Sequence, residues 1–131
     1  MTEMTMIFGA PPVERAEAPV RPPDWVALLT AASGPESGRR IEVKPGRWKL
    51  GKAPREEPGF AVITLGDPFL SRDHFALEAG VAAVVLRDLG STNGTFVNGD
   101  RIERHILREG DLLRAGETTF RVSLSIQAPP A

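Results

Sequence analysis

Hydrophobic and polar positions alternate most cleanly over residues 118–126. Phe120, Val122, Leu124 and Ile126 share one face there, and Thr119, Arg121, Ser123 and Ser125 share the other. A two-residue period of this kind predicts a half-buried β-strand. Shorter runs of similar character fill residues 25–31, 40–44, 47–52, 61–65, 74–79, 82–89, 95–98, 105–107 and 111–114. Turn-forming residues cut them apart at Lys44-Pro45-Gly46, Ala79-Gly80, Asn98-Gly99, Glu109-Gly110-Asp111 and Ala115-Gly116. No stretch holds a convincing amphipathic helix period. Ten short strands at a spacing of about 8–12 residues predict an all-β sandwich or barrel.

The pattern begins only at Asp24. Residues 1–23 carry five of the twelve prolines with scattered charges and little apolar periodicity, so they read as a flexible tail. The ordered domain is expected over residues 24–127, with residues 128–131 as a fraying end. The first twenty residues include Glu3, Glu14, Arg15 and Glu17 and no apolar core of a signal peptide. The longest apolar run, residues 81–86, is far too short to span a bilayer. A soluble protein of the cytoplasm is the expectation.

Composition narrows the chemistry. A chain of 131 residues has room for one domain. Sixteen basic against seventeen acidic residues give a net charge of −1, which argues against nucleic acid or a membrane surface as partner. Without cysteine, and with His74 and His105 as the two histidines, neither a metal site, a thiol nucleophile nor a cofactor is expected.

Three local patterns carry potential function. Leu89-Gly90-Ser91-Thr92-Asn93-Gly94-Thr95 crowds three hydroxyls, an amide and two glycines into seven residues, a loop suited to aiming donors at an anion. Asn98-Gly99 reads more simply as a tight turn. Ser71-Arg72-Asp73-His74 holds the residue types of a catalytic triad on one short stretch, without a nucleophile elbow. A hydroxyl beside a guanidinium suits anion binding better than acyl transfer, so no catalytic residue is assigned. Gly46-Arg47-Trp48-Lys49-Leu50-Gly51-Lys52 has the glycine and lysine spacing of a nucleotide-binding P-loop. Ala53 stands where Mg²⁺ needs a hydroxyl, and the interior alternates like a strand.

In order, these residues resemble a forkhead-associated (FHA) domain. The carriers are Leu50-Gly51-Lys52, Ser71-Arg72-Asp73-His74-Phe75, the run from Asp88 through Ser91-Thr92-Asn93-Gly94-Thr95 to Asn98-Gly99, and the glycine-punctuated segment 107–116. The resemblance covers about residues 25–126. It implies a β-sandwich of about eleven strands with ligand loops at one end, docking phosphothreonine peptides in Ser/Thr kinase signalling without catalysis. It further implies that Ser71 and Thr92 donate to the phosphate, that Lys52 and Arg72 add charge, and that Asn93 holds the ligand main chain. Gly51, His74 and Gly94 would support the site, and Phe69 would read the third residue after phosphothreonine. Lys52 departs from the family, which usually has arginine there. A point-charge ammonium in place of a planar fork either weakens binding or shifts the main cationic role to Arg72 or Arg55. A phospho-independent adaptor and a nucleotide-binding enzyme built on residues 46–52 are the alternatives.

The tail adds one expectation. Thr5 lies in Glu3-Met4-Thr5-Met6-Ile7-Phe8, nineteen positions before Asp24. A flexible chain of that length spans about 25 Å, against a domain radius of gyration near 13 Å. Thr5, phosphorylated by a Ser/Thr kinase, would thus reach its own domain and close the site, with Phe8 falling three residues after it.

Overall fold

The computed structural model describes residues 24–127, so the tail with Thr5 and residues 128–131 lie outside the described residues. The described chain forms β1 (Asp24–Ser33), β2 (Arg40–Val43), β3 (Gly46–Gly51), β4 (Ala61–Thr64), β5 (Phe75–Ala79), β6 (Val84–Asp88), β7 (Thr95–Val97), β8 (Asp100–Ile102), β9 (Arg104–Ile106), β10 (Leu112–Ala115) and β11 (Thr118–Gln127). They build a six-stranded sheet ordered β2-β1-β11-β10-β7-β8 and a five-stranded sheet ordered β4-β3-β5-β6-β9. Strands β3 and β4 run parallel, and the other paired strands run antiparallel.

Alternation fixes which faces meet. In the β1–β11 register Ala27 opposes Leu124, Leu29 opposes Val122 and Ala31 opposes Phe120, and opposed residues share a face. That face packs on Leu50, Phe75, Leu77 and Leu86 of the second sheet, all completely buried. Each such side chain contributes about 1.5–3 kcal/mol by leaving water. Ile126, the last of the alternating row, runs past the core and is 56% exposed.

The strand predicted over residues 47–52 forms, and one strand joins the ten expected. Residues 46–52 are not a phosphate loop: Gly46–Gly51 is strand β3, extended and bonded to β4 and β5, with no helix behind it. The P-loop geometry on which the nucleotide-binding alternative rests is not formed there. Strand β8 is new, because Asp100-Arg101-Ile102 carries too few apolar residues to show a period. It exists because Asn98 (φ +52°) and Gly99 (φ +90°) form a hairpin turn that folds it onto β7.

Register also places the site. Leu50 of β3 and Asp88 of β6 both pair with Phe75 at the start of β5, and Gly51 pairs with Thr64 at the end of β4. The loops following β3, β4 and β6 must therefore emerge at the same end of the sandwich.

Candidate functional site

Those three loops carry the residues singled out above, and hydrogen bonds tie them together. The Lys52 N–H donates to the Ser71 carbonyl (2.9 Å), and the Ala53 N–H donates to that of Arg72 (3.3 Å). The Thr92 N–H donates to the Ser71 hydroxyl oxygen at 3.0 Å. The Asn93 Nδ2 donates to the Phe69 carbonyl at 2.8 Å. Lys52, Ser71, Arg72, Thr92 and Asn93 thus meet at one edge of the sandwich, with Phe69 (53% exposed) beside them.

What these bonds leave open matters as much as what they use. Ser71 accepts through a lone pair, so its hydroxyl hydrogen remains available. Asn93 spends its NH₂ end on Phe69, which leaves its carbonyl oxygen to accept an N–H from a passing main chain. The Thr92 side chain is exposed. So are Lys52 and Arg72, which meet no carboxylate among the described residues. Arg55 differs, because its backbone N–H and its Nε both engage Asp73, at 2.9 and 3.3 Å. Two cations without carboxylate partners and two hydroxyl side chains thus gather where these loops face solvent.

Beneath it lies a rigid support. His74 is fully buried between two loops: the Ser71 N–H donates to its Nδ1 (3.0 Å), and its Nε2 donates to the Gly94 carbonyl (2.9 Å). Each partner allows one role, so the bonds themselves select the Nε2-protonated ring. Gly51 stands where a Cβ would lie 2.0 Å from the Arg72 carbonyl oxygen; any side chain would force the two segments apart. Gly94 takes a φ of +87°.

Two carboxylates to which the sequence reading gave no role hold the loops in shape. Asp88 accepts from the N–H groups of Gly90 and Ser91 and from the hydroxyls of Ser91 and Thr95. Burial opposes its charge, yet the four donors outweigh burial and hold the carboxyl below its ordinary range. Asp67, 1% exposed, accepts from the Phe69 N–H, the Glu117 N–H and the Thr118 hydroxyl. The Gly66-Asp67-Pro68 turn could signal the bond to Phe69. Partners fifty residues away leave no local trace. Among the described residues no group of three or more His, Cys, Asp or Glu side chains is arranged for a metal ion.

The model of the FHA domain family matches residues 48–116. The chain belongs to the FHA family. Relatives agree. The glycogen accumulation regulator GarA of Mycolicibacterium smegmatis is 35% identical over 72% of this chain, although the match spans only 57% of that regulator's length. GarA of Mycobacterium tuberculosis is 30% identical, with 88% of this chain and 75% of the relative covered. The oxoglutarate dehydrogenase inhibitor of Corynebacterium diphtheriae is 29% identical over 96% of this chain and 82% of its own length. Among solved structures, an FHA domain studied for its phosphothreonine-dependent interactions superposes with a TM-score of 0.63 at 28% identity, covering 81% of this chain and 99% of that one. The FhaA FHA domain in complex with the intracellular domain of Rv3910 gives 0.59 at 28% identity, covering 75% and 98%.

Proposed function

We propose that this FHA domain binds phosphothreonine peptides through Lys52, Ser71, Arg72, Thr92 and Asn93, as a signalling module and not an enzyme. The carrying observation is the Thr92-to-Ser71 bond, which brings the Thr92 backbone onto the Ser71 hydroxyl beside two cations without carboxylate partners. A phosphate bears about −1.5 to −2 charge at pH 7. Hydrogen bonds to it are charge-assisted, about 1.5–3 kcal/mol each. Ser71 and Thr92 donate, Lys52 and Arg72 neutralise, and the Asn93 carbonyl accepts from the ligand main chain. Selectivity for threonine over serine requires a niche for one methyl group, about 1–3 kcal/mol. Phe69 offers an apolar surface to the third residue downstream.

The same reading makes the phosphorylated tail a competing ligand. Thr5, modified by a Ser/Thr kinase in the cytoplasm, would act at an effective concentration of about millimolar, enough to close a micromolar site. Calorimetric titration with one peptide in phosphothreonine, phosphoserine and unmodified forms tests the core of the proposal. Phosphothreonine is expected to bind tightest, and Ser71→Ala to weaken it about tenfold or more. Equal binding of the modified and unmodified peptides would overturn it. For the tail, kinase-treated chain is expected to lose affinity for the external phosphopeptide.

A further inference from the structure

Contacts between the β4–β5 and β6–β7 loops follow one order. Asn93 meets Phe69, Thr92 meets Ser71, and one step further Arg72 and Asp73 face Leu89 across an open cleft of about 510 Å³ completed by Arg55. The phosphate position lies in the middle of a groove, with Phe69 and Asn93 at one end and this cleft at the other.

The cleft carries excess positive charge. Arg55 holds Asp73 through its Nε at 3.3 Å, and its terminal guanidinium nitrogens have no acceptor among the described residues. Lys49 lies 3.6 Å from Asp73 and 3.1 Å from Glu57. The cleft lining therefore holds two cations, Arg55 and Arg72, against one carboxylate, Asp73, which the buried Lys49 also neutralises. Leu89 supplies an apolar floor.

We propose that the Arg55–Arg72–Leu89 cleft is a second anion subsite, reading an acidic group upstream of the phosphothreonine. The inference rests on the phosphothreonine reading above, in which Phe69 takes the downstream flank; a continuous ligand then crosses the cleft on its upstream side. In an extended peptide the residue two before phosphothreonine points the same way as it does, about 7 Å along. A glutamate there lays its methylenes on Leu89 and its carboxylate on a guanidinium fork. A second phosphate offers the same chemistry. The chain's own Glu3 stands two residues before Thr5.

The test titrates the full chain and its Arg55→Gln variant with phosphothreonine peptides. One has alanine flanks, one has glutamate two residues upstream, one has a second phosphothreonine there, and one has glutamate two residues downstream. An unphosphorylated control completes the set. The upstream anion is expected to raise affinity about three- to fivefold. Arg55→Gln is expected to abolish that gain while binding the alanine-flanked peptide within twofold of the parent. Whichever upstream anion gains more identifies the source. No upstream gain, an equal gain downstream, or a gain that survives Arg55→Gln overturns the subsite alone. An alanine-flanked phosphopeptide that binds no better than the control overturns the phosphothreonine reading, and the subsite with it.

Discussion

Two Asn-Gly pairs stand five residues apart, and the fold uses them in opposite ways. Asn98 sits at φ +52° with both ends of its amide committed: Nδ2 donates to Asp111 (3.0 Å), and Oδ1 accepts from the Leu112 N–H (3.0 Å). Asn93 is exposed, with its NH₂ end on Phe69 and its carbonyl end open. Identical side chains thus serve as a closed brace in one loop and a half-used one in the other. The difference teaches that a ligand-facing residue is recognised by hydrogen-bonding capacity left over, not by residue type.

The comparison breaks most sharply at Asn98. Asn98→Ala loses two amide bonds and places a Cβ residue without polar compensation at positive φ, for about 2–4 kcal/mol of stability. Thermal unfolding should drop by roughly 10 °C or more, since each kcal/mol is about 4–8 °C in a domain of this size. A loss under about 1 kcal/mol would show that the turn holds without its brace. Asn93→Ala should do the reverse. Phosphothreonine-peptide affinity falls about tenfold in calorimetry, while stability falls by about 1 kcal/mol or less. An unchanged titration curve would remove Asn93 from the ligand site.

The smallest effect concerns the carboxylates behind each loop. Burial works against charge on both Asp88 and Asp111. Hydrogen bonds outweigh it, from Ser91, Thr95 and Gly90 for the first and from Arg108, Asn98 and His105 for the second. Both carboxyls therefore titrate below the ordinary value of 3.8. With folded values depressed, their contribution is complete above that value and drains away as pH falls beneath it. The acid limb of the stability curve should be shallower in Asp88→Asn than in the parent. High salt should weaken only the Asp111 contribution, because His105 adds an ion pair there (3.0 Å). Parallel acid limbs in parent and Asp88→Asn would sink this assignment.

Much of the fold was legible because alternation is a local signal. The row from Phe120 to Ile126 predicted β11 within one residue of its observed end, and nine further strands followed from short runs between turns. Strand β8 was not legible, since a charged three-residue strand has no period of its own. At the site, the ordered motifs brought Lys52, Ser71, Arg72, Thr92 and Asn93 into view together. The supports stayed hidden for a physical reason. Asp67 bonds to Thr118 across 51 positions and Arg55 to Asp73 across 18, and neither spacing belongs to any helix, strand or turn.

The enclosed His74 ring has a consequence for timing. Because it staples Ser71 to Gly94 through main-chain atoms, the two loops are held in place before any ligand arrives. Docking then requires little loop ordering, and lifetimes of complexes are set by how fast they come apart. In the proposed reading, timing then belongs to the enzymes that write and erase the phosphate, whether on a partner or on the chain's own Thr5.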